Sequence, residues 1–250
     1  MPPSTRRRPV SVESNGSTDD TRPLARVLIL DAHRMVSAAL RTSLCRAGLD
    51  AHELPVGGVD AILAAAVAHP EAVVLLEPVR CLDPARPGPG AAALVAGLRA
   101  QGKRAVVLTE RLDDPVKAAV TAAAVAAGAA GVLDKSAPFD TLVRILTAVA
   151  AGRPVMTEAA RVGWCNRDHL HRRRTEERAA LLARLTPRER EVLALMAAGY
   201  RASAVAAHFV VAVPTVRTQI RSILIKLDVT SQLAAVALLH AAGSDVPVPL

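Results

Sequence analysis

Aromatic side chains are almost missing from this chain: of 250 residues one is Trp, one is Tyr and two are Phe. The core must therefore be built from Ala, Val and Leu, and no row of rings is available to stack successive bases, which excludes an aromatic platform for single-stranded nucleic acid. Cysteine is scarce as well. Cys45, Cys81 and Cys165 are widely spaced and odd in number, which argues for a reducing compartment and against a disulfide framework. Long apolar runs are also lacking. The longest uncharged stretch, Ala118 to Leu133, is 16 residues and mostly Ala, short of the about 20 that a membrane crossing needs. No apolar segment follows Arg6, Arg7 and Arg8, so no secretory leader is expected. The expectation is a cytoplasmic protein with no membrane contact.

Positive charge is what the chain has in excess, and in one place. Residues 160–226 carry 13 Lys or Arg against 5 Asp or Glu, an excess equal to the formal +8 of the whole chain. A basic block of this kind faces polyanions, nucleic acid first, or is a solvated connector face.

The pattern along the chain separates five stretches. Residues 1–25 are Ser, Thr, Pro, Arg and Asp with few large apolar groups, a composition that cannot bury enough surface to order itself, so a disordered tail is expected. Residues 26–152 alternate short apolar runs (RVLIL, LDAHEL, AVVLL, RAVVLT, AGVLD) with stretches long enough for helices at 33–47, 57–68, 91–101, 113–127 and 138–151. Continuous apolar strands alternating with helices predict a parallel sheet covered on both faces, an α/β (βα)5 unit. Residues 153–182 form a basic linker expected to run as helix into AALLARL, residues 183–243 a compact helical domain, and 244–250 a frayed end.

In an open parallel sheet the chemistry gathers beyond the carboxyl ends of the strands. Asp31, Glu77, Thr109 and Lys135 fall there. Two acids, a hydroxyl and a lysine are suited to a divalent cation and a phosphoryl group. At VLILDAH, VVLLEP, VVLTE and GVLDKSAP the sequence resembles a response-regulator receiver domain over about residues 26–151. It departs from that pattern where the resemblance implies chemistry: the second metal-binding acid falls on Ala32, the phosphoacceptor aspartate on Glu77, and the aromatic switch on Val132. A metal site short of one carboxylate and a nucleophile displaced by one methylene make poor phosphoryl acceptors. Glu77 is expected to pair with Lys135, in a pocket that either works without phosphate or is kept only as a folded module.

The helical end is the most specific stretch. Thr186, Pro187 and Glu189 spell a capping box with Pro at the first helical position, so a helix starts there and stops near Gly199. A short helix fits Ser203 to Phe209, with Val205, Ala206 and Phe209 inward. A third, about 214–227, carries Val216, Ile220, Ile223, Leu224 and Leu227 at core spacing. Its other face holds Thr215, Arg217, Thr218, Gln219, Arg221, Ser222 and Lys226, the dress of a recognition helix in a helix-turn-helix. LTPREREVL, AAGYRASAVAAHF and PTVRTQIRSILIKLDV resemble the output domain of the LuxR family, NarL type, over about residues 183–241. That resemblance implies base-facing Arg217, Thr218 and Arg221, and phosphate contacts at Thr186, Arg201, Ser203 and Lys226. Thr215 and Gln219 complete the DNA-facing set. Ala212 stands where a capping Ser is usual and Ala204 where an acid is usual; a missing cap costs about 1 kcal/mol.

Cys165, Asp168, His169 and His171 lie close in sequence, but no second Cys/His pair completes a zinc site, so no metal and no cofactor are expected. The reading is a two-component response regulator of the NarL/LuxR type with an atypical receiver, not an enzyme. It binds double-stranded DNA as a homodimer independently of aspartate phosphorylation, with RNA polymerase as a further partner. A phosphorylation-switched regulator, or a receiver that binds a ligand or a partner protein, remains the alternative.

Overall fold

The computed structural model describes residues 24–78, 89–110 and 113–242. The stretches 1–23 and 243–250, on which most of the expected N-terminal and C-terminal tails fall, lie outside the described residues.

Five parallel strands, β1 (Arg26–Leu30), β2 (Asp50–Glu53), β3 (Val73–Leu76), β4 (Arg104–Thr109) and β5 (Gly131–Asp134), stand in the order β2-β1-β3-β4-β5. Each apolar run of the sequence supplies one of them. All four residues of β3 are buried, as a strand covered on both faces must be. The edge strand β2 buries only Ala51 fully, which is why its sequence, DAHE, reads as the least strand-like of the five.

Two apolar layers sandwich the sheet. On one face α2 (Val59–Val67), α3 (Pro89–Ala100) and α4 (Pro115–Ala126) pack Ile62, Leu94, Leu98 and Val120 against Leu28, Val74 and Val107. On the other, α1 (Arg34–Arg46) and α5 (Phe139–Ala150) pack Leu44, Leu142 and Leu146 against Ile29, Leu75 and Val106. The side chains alternate between layers because successive Cβ atoms leave a strand on opposite faces.

The basic connector is one helix, α6 (Glu158–Ala183), capped by Thr157, whose hydroxyl accepts from the Ala160 N–H. Its first turns lie on the first unit: Trp164, with Met156 just ahead of the helix, packs on the α2–α4 layer, and Arg161 donates to the Ala129 carbonyl at 3.3 Å. Its last turn enters a third core through Leu181 and Leu182. Around that core stand α7 (Pro187–Ala197), α8 (Ala202–Phe209), α9 (Val213–Leu227) and α10 (Gln232–Ala241). Val205, Val216, Ile220, Ile223, Leu227 and Leu239 are buried there, so the inward stripe expected of α9 is the stripe that packs.

Candidate receiver pocket and nucleic-acid interface

Strand order brings Asp31, Glu77, Thr109 and Lys135 to one end of the sheet. Asp31 follows β1, Glu77 follows the adjacent β3, Thr109 closes β4 and Lys135 follows β5. Asp31, Glu77 and Thr109 are buried. The Glu77 N–H donates to the Leu30 carbonyl (2.9 Å) and the Lys135 N–H to the Thr109 carbonyl (2.7 Å), which ties the strand tips together.

The lysine's partner differs from the sequence expectation. Among the described residues Lys135 pairs with Asp31, Nζ to Oδ2 at 3.4 Å, rather than with Glu77. The reason lies in the orientation of Asp31. Its Oδ1 accepts from the His33 N–H at 2.8 Å and lies 3.1 Å from His33 Nδ1, which leaves Oδ2 for an incoming cation. Ala32, where the receiver pattern has an acid, packs instead against the apolar layer. Val132 is partly buried against the same layer.

In the helical domain the capping box forms. The Glu189 N–H donates to Thr186 Oγ1 (3.3 Å), and Glu189 Oε2 accepts from the Thr186 N–H (2.8 Å) and hydroxyl (3.0 Å). The same carboxylate accepts from Ser222 Oγ at 2.7 Å and Lys226 Nζ at 2.6 Å, both on α9. Burial alone would raise the Glu189 pKa, but the donors, led by Lys226 and the Thr186 N–H, outweigh it and hold the carboxyl down at about 2. Glu189 therefore clasps α7 to α9. A second tie is the Arg188 guanidinium, stacked 3.3 Å from the Phe209 ring centroid and so joining α7 to α8.

This clasp divides the polar face of α9. Residues three and four apart share one line along a helix, and Gln219, Ser222 and Lys226 make such a line beside the buried stripe. Ser222 and Lys226 reach Glu189, and Gln219 is half-buried, its buried Oε1 without a hydrogen-bond partner among the described residues. Gln219 thus sits at the edge of the core and not out on the exposed face. Thr215, Arg217, Thr218 and Arg221 are exposed, as are Arg201 and Ser203 at the start of α8. The Thr218 hydroxyl donates back to the Pro214 carbonyl at 3.1 Å. Thr186 is exposed, with its hydroxyl engaged in the box. Neither Ala212, the N-cap of α9, nor Arg201, the N-cap of α8, makes a side-chain cap.

The Cys165, Asp168, His169 and His171 cluster lies on α6, where Asp168 is buried and paired with Arg172 at 2.8 Å. No single helix among the described residues is long and apolar enough to cross a membrane.

A receiver-like α/β unit joined through a helix to a helix-turn-helix unit is the build of a DNA-binding transcriptional regulator. Comparison with known proteins agrees. Residues 183–239 match the family of bacterial regulatory proteins described as luxR. The chain is 34% identical over 164 residues to the Mycobacterium tuberculosis protein named "Probable transcriptional regulatory protein NarL", covering 65% of this chain and 71% of that one. It is 33% identical over 142 residues to a nitrate/nitrite response regulator homolog of Haemophilus influenzae, covering 57% and 64%. Full-length FixJ of B. japonicum aligns loosely, at 21% identity and a TM-score of 0.41 over 89% of this chain and 98% of that one. The chain belongs to the luxR family of bacterial regulatory proteins, as a response regulator of the NarL type.

Proposed function

We propose that this regulator reads double-stranded DNA as a homodimer and does so without phosphorylation of its receiver. The observation that carries the DNA reading is the division of α9: one stripe is buried, one line is held by Glu189, and Arg217, Thr218 and Arg221 are left exposed together. These three face base edges, with Thr215 beside them, and Arg201, Ser203 and Thr186 meet the backbone phosphates. An ammonium has three donors, so Lys226 can keep Glu189 and still offer a proton to a phosphate. Gln219 reaches DNA only by turning out of its half-buried seat. The first unit is the folded receiver-like module, α6 the connector and α7–α10 the output domain. RNA polymerase is the natural further partner of a protein placed beside a promoter.

Phosphate independence rests on Ala32 and Glu77. Phosphoryl transfer depends on metal electrostatics and in-line positioning. Here one carboxylate of the metal site is replaced by a methyl group, and the acceptor is a buried glutamate. Incubation with acetyl phosphate and Mg²⁺ is therefore expected to leave the intact mass unchanged. A species heavier by about 80 Da, the mass of one phosphoryl group, that disappears in Glu77→Ala would overturn this reading.

The DNA test uses one variant on two duplexes. Arg221→Ala is expected to weaken a cognate site by about 1–3 kcal/mol and scrambled DNA much less, because a guanidinium on a base edge discriminates while one on phosphate does not. Equal losses on both would assign Arg221 to the backbone.

A further inference from the structure

We propose that Gln219 is a specificity-determining residue, which leaves a half-buried seat when DNA binds and reads adenine in the major groove. Its Oε1 is one of two side-chain polar atoms that are buried without a hydrogen-bond partner among the described residues. The other, Thr121 Oγ1, lies on α4 in the first unit. The role rests on the reading of α9 as the recognition helix and adds what this one side chain recognises there.

A buried carbonyl oxygen with no donor costs free energy, whereas an apolar side chain of the same shape in its place does not. The fold therefore gains nothing from an amide at this seat. The rest of the line along α9 shows the contrast. Ser222 and Lys226, which follow Gln219 on it, are both taken up by Glu189, at 2.7 and 2.6 Å. The clasp stops short of Gln219. Thr215, four residues before Gln219 on the same line, is exposed, so Gln219 stands between the clasped part of the line and the open part. A local rule broken without structural gain is most often broken for function.

The unpaired atom also selects the partner. An amide offers an acceptor oxygen and a donor NH2, and whatever satisfies Oε1 must donate. A phosphate only accepts, so it would take Nε2 and leave Oε1 as unmatched as before. In the major groove guanine shows two acceptors, thymine an acceptor and a methyl group, and cytosine a donor; adenine alone shows an acceptor, N7, beside a donor, N6. Adenine therefore takes both ends of the amide. Gln219 lies in the second turn of α9, next to Thr218 and one turn from Thr215, within the N-terminal half of a recognition helix that meets base edges. Rotation about its unbranched stem carries the amide out past Thr215.

The experiment compares the full chain with Gln219→Met, which keeps an unbranched stem and removes the amide. Without DNA the helical domain of the variant is expected to melt about 3–5 °C higher, because an apolar tip relieves the buried defect. A midpoint unchanged or lowered would show that the seat already suits the amide, and would overturn the proposal. Both proteins are then used to enrich a pool of randomised duplexes. Wild type is expected to select a motif with one A·T pair that the variant leaves free, the other positions agreeing. On that motif the variant is expected to bind about 5- to 150-fold more weakly. Replacing the adenine of that pair by 7-deazaadenine, which lacks N7, is expected to weaken wild type and leave the variant unchanged. Scrambled duplexes are expected to bind the two proteins alike. An equal loss on scrambled DNA would assign Gln219 to the phosphates, and identical motifs would deny it any part in reading; either result overturns the proposal. If wild type enriches no sequence at all, the reading of α9 as a recognition helix falls, and the role of Gln219 with it.

Discussion

Two buried acids in this chain answer to lysines, Asp31 to Lys135 and Glu189 to Lys226, and the two pairs behave as different devices. In the first, the ammonium stands 3.4 Å from a carboxylate otherwise held by a neighbour two residues away. In the second it stands at 2.6 Å, and the carboxylate is shared with Ser222 from the same distant helix and with both donors of Thr186. The first is open to exchange of partners, which suits the tip of a sheet where ligands gather. The second is a fastener between helices, and the position of the recognition helix depends on it. A buried acid and a lysine thus do not by themselves mark a functional site; what separates the cases is how many other donors from elsewhere in the fold hold the carboxylate.

The strongest way to break this comparison is to remove each lysine in turn. Lys226→Ala leaves Glu189 buried with its charge short of its cationic partner and is expected to destabilise the helical domain by about 3 kcal/mol. Lys135→Ala leaves Asp31 with its His33 donors and removes a longer contact, so about 1 kcal/mol is expected from the first unit. Chemical denaturation of the full chain with both variants checks the order. Equal effects would mean that Lys135 is a fastener as well and that the tip of the sheet is locked.

Acid titration tests the same fastener at a finer scale. The Glu189 pKa falls from an ordinary 4.5 to about 2 in the folded domain. A group whose folded pKa is depressed contributes stability that is present above its unfolded value and lost as pH falls through the folded one. The contribution, about 3 kcal/mol at most, is thus complete above about pH 5 and gone near pH 2. Glu189→Gln cannot carry the charge, so the stability gap between wild type and this variant should be widest above pH 5 and narrow steadily below it. A gap independent of pH would show that Glu189 holds α9 by shape and neutral hydrogen bonds alone.

Much of this was legible in the sequence, and the parts that were not share a cause. The strands RVLIL, AVVLL and RAVVLT read as apolar runs because parallel strands are covered on both faces. The core line of α9 read from its spacing because a helix repeats every 3.6 residues. The capping box of Thr186 and Glu189 is local and was visible within four consecutive letters. The partners of Glu189 on α9 are 33 and 37 residues away, and no local rule says which polar side of a helix will turn toward an acid elsewhere. The one available signal was geometric: Gln219, Ser222 and Lys226 flank the buried stripe at spacings of 3 and 4, while Arg217, Thr218 and Arg221 lie further round the helix. Likewise, all four residues at the sheet tip were visible, but the choice between Asp31 and Glu77 turned on a backbone N–H at His33 that orients one carboxylate.

The smallest effect tests whether the clasp holds a domain that is strained elsewhere. The turn between α8 and α9 places Val210 in the left-handed region, φ 54° and ψ 47°, with the side chain 91% exposed. A β-branched residue there costs about 1–2 kcal/mol relative to ordinary backbone, and its exposed side chain recovers little by burial. The turn is kept by its hydrogen bonds, Val210 N–H to the Ala207 carbonyl at 3.2 Å and Val211 N–H to the Ala206 carbonyl at 3.0 Å, and by the packing of α9 that Glu189 secures. Val210→Asn, which tolerates this conformation, is expected to stabilise the helical domain by about 0.5–1 kcal/mol. Combined with Lys226→Ala it should restore a similar amount, since the two sites share no partner and independent sites add. A gain in the wild-type background that vanishes with Lys226→Ala would show that the clasp and the turn are one cooperative unit, and that α9 is set by both together.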